Sequence, residues 1–142
     1  MLKRIYIDNF RCLVNFELSL DPINLFLGSN GSGKSTIFDV LRKIQTFIGG
    51  SDKVMGLFKP ADLTRWQTSP IQTFELEIEG NSGTYRYELA IEHDPARRLA
   101  RVGHERLWFD NKPLLKFEIV DKEGNVQLYR DNHSEGPKYP FD

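Results

Sequence analysis

The chain opens with apolar and polar positions in near alternation. Residues 2–8 set Leu2, Ile5 and Ile7 among Lys3, Arg4 and Asp8, which predicts a strand. Phe10-Arg11-Cys12-Leu13 interrupts the pattern. It resumes over residues 14–20, with Val14, Phe16, Leu18 and Leu20 on one face. Asp21-Pro22 marks a turn, because proline holds φ and biases the residue before it away from helix. The apolar run Ile23-Asn24-Leu25-Phe26-Leu27 suits a short strand buried on both faces. Next, Ile37, Leu41, Ile44 and Ile48 recur at helical spacing, and Phe38, Val40 and Phe47 widen the stripe. Gly49-Gly50 is the expected stop, since glycine reaches the left-handed cap conformation without steric cost.

Residues 51–70 lack periodicity and contain Pro60 and Pro70, so they read as a loop with room for one short helix. Strand patterns then take over at 72–79, 84–92, 100–109, 114–121 and 126–130. Turn signals separate them at Gly80-Asn81-Ser82-Gly83, His93-Asp94-Pro95, Asn111-Lys112-Pro113 and Lys122-Glu123-Gly124-Asn125. This spacing predicts an antiparallel meander and not βαβ units. The last stretch, 133–142, shows no periodic pattern. The organisation expected is a core over 1–50, a connection over 51–70, an antiparallel β subdomain of the same lobe over 71–132, and a tail over 133–142.

Between the apolar run and the helical stretch stands Gly28-Ser29-Asn30-Gly31-Ser32-Gly33-Lys34-Ser35, which meets G-x-x-x-x-G-K-[ST] at every fixed position. This is the Walker A form of a P-loop. Its glycines let backbone N–H groups curl around an anion, and the following helix adds its positive end. Lys34 can reach the β- and γ-phosphates. The Ser35 hydroxyl can take one coordination position on a Mg²⁺ that arrives with the nucleotide. Thr36, one residue into the helix, suits loop support or the α-phosphate. The bare pattern arises by chance in roughly one chain of this length in a few hundred, and strand, glycine loop, helix is the context it needs. The bland reading is a glycine-rich turn with a surface lysine. A GTPase is disfavoured: Asn111-Lys112-Pro113-Leu114 has leucine where the guanine-reading Asp belongs, and Asp121-Lys122-Glu123-Gly124 follows it in the wrong order. Small-molecule kinases usually carry the loop after their first strand, whereas two strand-like segments precede the P-loop strand here.

The stretch FRCLVNFELSLDPINLFLGSNGSGKSTIFDVL resembles the N-terminal lobe of ABC-type ATPase heads of the SMC and RecF kind, closest to the OLD-like predicted AAA-type ATPases of bacteria. The resemblance is specific over residues 1–48 and looser over 73–107, where FELEIEGNSGTYRYELAIE and HERLWF fit the same pattern. It implies an α/β P-loop NTPase lobe, with a mixed sheet around the P-loop helix beside the antiparallel β subdomain. It also implies ATP and Mg²⁺ as ligands. In such heads the phenylalanine–basic pair after the first strand lies near the nucleotide, which makes Arg11 a candidate phosphate or ribose contact. Asn30 would face the γ-phosphate.

Hydrolysis needs a carboxylate to help hold Mg²⁺ and usually a second to orient water. In the family these end an apolar strand as Asp-Glu. Neither Leu107-Trp108-Phe109-Asp110-Asn111 nor Phe117-Glu118-Ile119-Val120-Asp121-Lys122 fits, so the Walker B acid is expected outside this chain. No L-S-G-G-Q-like signature appears: Ile48-Gly49-Gly50-Ser51 follows a helix instead of opening one. Neither Gln45 nor Gln72 suits the lid-loop glutamine. The expectation is therefore the ATP·Mg-binding N-terminal half of a head, ending near a truncation point. A C-terminal lobe and head-to-head dimerisation would be needed for turnover, and this chain alone would be inactive or very slow. Nucleic acid would be met through the full-length protein. Two other readings stay open: a complete nucleotide-binding switch without catalysis, and a nucleic-acid-binding module with a vestigial P-loop.

Composition narrows the field further. The 142 residues are 39% hydrophobic and 27% charged with formal net charge −1, an ordinary globular balance that gives no bulk attraction to nucleic acid or membrane. Cys12, the single cysteine, excludes an internal disulfide and suits a reducing cytoplasm. The start, MLKRIYIDNF, is too short in apolar run for a signal peptide or a span. Arg97, Arg98, Arg101 and Arg106 form a local basic cluster, and Glu92, Asp94 and Glu105 alternate with it as on a solvated hairpin. His93, His104 and His133 lack metal-ligand spacing and read as surface or turn residues. Asp39 reads as a solvated helix position. Trp66 and Trp108 are expected in cores or on a surface that an absent half would cover.

Overall fold

The computed structural model describes residues 1–19, 34–50, 53–120, 123–130 and 133–141, with side chains for 1–19, 35–50 and 53–117. Among the described residues eight strands form one sheet: β1 (Leu2–Asp8), β2 (Phe16–Ser19), β3 (Ile71–Gly80), β4 (Gly83–Asp94), β5 (Leu99–Phe109), β6 (Lys112–Val120), β7 (Glu123–Arg130) and β8 (His133–Phe141). Their spatial order is β2-β1-β3-β4-β5-β6-β7-β8. Every neighbouring pair is antiparallel. Among the described residues the helices are α1 (Lys34–Ile48), the single turn α2 (Val54–Leu57) and a 3-10 turn at Pro60–Asp62.

The register follows from period-two burial. Ile5 opposes Leu18 on one side and Leu76 on the other, and Phe74 opposes Ile7 and Leu89. Ile5, Ile7, Phe74, Leu89 and Ile91 are fully buried on one face, with Leu76 and Tyr87 nearly so. Each side chain of this size contributes about 1.5–3 kcal/mol by leaving water. The opposite face carries charge: Arg4 reaches Glu17 at 2.8 Å and Glu75 at 3.2 Å, and Arg106 reaches Glu88 at 3.4 Å. A register slip of one residue would exchange these faces, so the alternation fixes the pairing. Between β4 and β5 the register shifts after Ala90, leaving Gly103 as the extra residue. That bulge keeps both Val102 and Leu107 against the core.

Helix α1 buries Ile37, Val40 and Ile44 in the same core, and α2 packs against α1 and β5. Gly50 ends α1 at φ 71°, its N–H donating to the Phe47 carbonyl at 3.0 Å, as the glycine stop predicts.

The expectation for the tail is revised. The tail over 133–142 reads as patternless, yet 133–141 form β8, paired with β7. Backbone hydrogen bonding to an open sheet edge needs no side-chain period, and an edge strand tolerates Pro137 and Pro140. The division between 1–50 and 71–132 is bridged directly, because β1 pairs with β3 in one sheet. Trp66 is 68% exposed and so stands on the surface alternative and outside the core of the described residues. The short strand expected at residues 23–27 lies outside the described residues, as do positions 28–33 of the P-loop.

Candidate functional site

Of the P-loop residues, Gly28, Ser29, Asn30, Gly31, Ser32 and Gly33 lie outside the described residues. Lys34 is the first residue of α1, Ser35 is exposed and Thr36 half-buried. This helix end is chemically suited to an anion. Fifteen residues of aligned peptide dipoles end here, and no acidic residue occupies the first turn to oppose a phosphate. The stripe that anchors the helix begins at Ile37 and continues through Val40 and Ile44, so the sheet fixes its direction.

Beside α1 lies the turn between β1 and β2. Asn9, Arg11 and Asn15 all adopt positive φ, at 63°, 52° and 47°. Asparagine accepts this region readily; for arginine it is uncommon and must be held by surrounding contacts. Phe10 and Leu13 exchange backbone hydrogen bonds across the turn at 3.1 and 2.8 Å. The Arg11 N–H donates to the Asp62 carbonyl at 2.6 Å. Its guanidinium donates from Nε to Asp62 Oδ1 at 3.0 Å and from Nη2 to Asp39 Oδ2 at 2.7 Å, with CZ 5.0 Å from the Phe10 ring centre. Asp39, on α1, also accepts from Arg42 at 3.0 Å. The two carboxylates are 17% and 14% exposed and the arginine 42%. Burial opposes the Arg11 charge, but its hydrogen bond to Asp62 and the field of Asp39 outweigh that and raise its pKa. Burial likewise opposes ionisation of Asp39. The hydrogen bond from Arg42, with Lys43 and Arg11 nearby, reverses the balance and lowers its pKa. Asp39 is thus an ion-pair centre and not merely a solvated helix position.

Behind this turn is a buried polar network. Asn9 is 1% exposed: its Nδ2 donates to the carbonyls of Ser69 at 2.7 Å and Ile71 at 3.0 Å, and its Oδ1 accepts from the Thr64 N–H at 3.1 Å. Gln72 Nε2 donates to the Asn9 carbonyl at 3.1 Å. Its Oε1 is left to accept from His93 Nε2 at 2.7 Å. That fixes the tautomer, and Nδ1 is a buried acceptor without a partner among the described residues. His93 is 4% exposed, which corrects its reading as a surface or turn residue. Burial lowers its pKa, with Asp62 pulling the other way. A signal for these residues was present in the sequence. Gln72 stands in phase with Phe74 and Leu76, and His93 with Leu89 and Ile91, so both had to point inward.

The remaining candidates disperse. Arg101 pairs with Glu92 at 2.9 Å, Arg97 with Asp94 at 3.7 Å and Arg106 with Glu88, as a sign-alternating hairpin predicts. Among the described residues no group of three or more His, Cys, Asp or Glu side chains gathers as metal ligands. Among them, too, no helix is long and apolar enough to cross a membrane. An apolar cleft of about 460 Å³ opens between the end of α1, at Phe47 and Ile48, and the strand residues Leu76, Tyr87, Leu107 and Leu115.

Comparison with known proteins adds what geometry at α1 leaves unnamed. Residues 1–102 match the family described as AAA ATPase domain. An OLD nuclease of Thermus scotoductus is 39% identical over 70 residues, which cover 49% of this chain and 13% of that protein. The chain therefore spans a small part of the relative it matches. The family match takes in β1, β2, the P-loop sequence, α1 and the whole β3–β4 hairpin, and on that extent the chain belongs to the AAA ATPase domain family.

Proposed function

We propose that this chain is the ATP·Mg²⁺-binding N-terminal lobe of an OLD-like ATPase of the SMC/RecF kind. The observation that carries the reading is the junction at Lys34. There a complete P-loop sequence runs into a sheet-anchored helix whose first turn holds no acidic side chain. Gly28, Ser29, Asn30, Gly31, Ser32 and Gly33 would offer backbone N–H groups to the phosphates, with Asn30 toward the γ-phosphate. Lys34 would neutralise charge there, and Thr36 would support the loop. Ser35 would hold Mg²⁺, which would neutralise charge developing on the phosphates. The resemblance implies a phosphate or ribose contact for Arg11, whose side chain keeps one edge toward solvent.

Turnover would require the Asp-Glu strand and signature of a further lobe, and a head-to-head dimer. The relative bears the name nuclease, which supports a whole protein that acts on nucleic acid. The test is equilibrium binding of ATP with and without Mg²⁺, beside phosphate release. The expected result is Mg²⁺-dependent binding that Lys34→Ala weakens at least tenfold, with phosphate release no faster than in that variant. Binding unaffected by Lys34→Ala would overturn the site. Brisk turnover by the wild-type chain would overturn the need for a second lobe.

A further inference from the structure

Arg11 joins three parts of the chain that sequence keeps apart. Its backbone belongs to the β1–β2 turn, its Nη2 holds Asp39 on α1, and its Nε and N–H both hold Asp62 in the 3-10 turn. Asp39 lies five residues beyond Lys34, in the second turn of the helix. Isolated exposed ion pairs contribute little, but here both carboxylates are mostly buried and the guanidinium bridges them. The turn itself is rigid: Asn9 fastens it to Thr64, and the Asn15 N–H donates to Asp8 Oδ1 at 3.0 Å. A rigid turn that grips the second turn of a helix limits how that helix can slide or tilt on the sheet. The core contacts of Ile37, Val40 and Ile44 are apolar and non-directional, so they fix burial more firmly than axial position.

We propose that Arg11 is a positioning residue for nucleotide binding: through Asp39 and Asp62 it clamps the first two turns of α1, and with them the Lys34 end, to the β1–β2 turn. The inference rests on the nucleotide-binding reading for its purpose, though not for its geometry. A misplacement near one ångström at a phosphate site is costly because its donors act only in alignment. The carboxylates are then as necessary as the arginine.

The experiment uses the full chain with Arg11→Ala, Asp39→Asn, Asp62→Asn and the Arg11→Ala/Asp62→Asn double variant. The affinity of a fluorescent ATP analogue with Mg²⁺ is read well below each melting temperature, and amide hydrogen exchange is followed without nucleotide. The expected result is an affinity loss of about three- to tenfold in each single variant, with the double variant little worse than either, as members of one network behave. Exchange should quicken at the amides of residues 36–41 while those of β3 and β4 hold. Loss of affinity in Arg11→Ala with both asparagine variants at wild-type affinity would overturn the clamp in favour of direct ligand contact. Exchange that quickens equally across the whole sheet would reduce it to general stability. If the wild type binds no nucleotide, the nucleotide reading falls, and the exchange pattern still decides whether the clamp exists.

Discussion

Asn9→Ala is the most informative test of the described fold. The substitution removes three hydrogen bonds and leaves alanine at φ 63° without asparagine's local compensation. The buried Thr64 N–H loses its acceptor, at about 1–3 kcal/mol, and each carbonyl of Ser69 and Ile71 loses a donor, at about 1 kcal/mol. The left-handed backbone adds about 1 kcal/mol for alanine. The sum is about 4–6 kcal/mol, a large share of the roughly 5–15 kcal/mol that stabilises an ordinary domain. Asn9→Gly loses the same hydrogen bonds but keeps the backbone at ease, so it should fall about 1 kcal/mol short of alanine. Urea unfolding followed by the fluorescence of Trp66 and Trp108 reads both. Losses below 1 kcal/mol in both variants would refute the network. Equal losses would refute the left-handed conformation.

Two further outcomes are expected. Phe74→Ala, which empties a fully buried position between Phe10 and Phe58 (ring centres 5.9 and 5.4 Å away), should cost about 3–5 kcal/mol in the same unfolding assay. For His93, burial depresses the folded-state pKa below its ordinary 6.5, so the unfolded chain binds the proton first. Stability from this group is complete above about pH 6.5 and declines as pH falls toward the folded value. A His93→Gln variant should lose that component, and a wild-type stability curve that rises below pH 6.5 relative to the variant would contradict it.

Local patterns carried much of this architecture. The strands expected at 72–79, 84–92 and 100–109 appear as Ile71–Gly80, Gly83–Asp94 and Leu99–Phe109, because each has one apolar and one polar face bounded by turn residues. The amphipathic helix and its glycine stop were legible for the same reason. β8 was not, because edge pairing rests on backbone groups that every sequence possesses. The buried roles of Gln72 and His93 are hidden where polarity is weighed ahead of phase. Their period-two position already placed them inside, where each needs a partner.

By itself, the order of residues determined the P-loop sequence pattern, the alternation that sorts side chains to the two faces of the sheet, and the family resemblance, since each depends on neighbours a few positions apart. Only the tertiary structure decided that β1 pairs with β3 across 64 intervening residues, from Asp8 to Thr73 at its nearest. It also decided that Arg11, Asp39 and Asp62 meet, and that Gln72 links the Asn9 carbonyl to His93. Those contacts join segments distant in sequence, and their partners are chosen by the packing of α1 on the sheet, which no local pattern encodes.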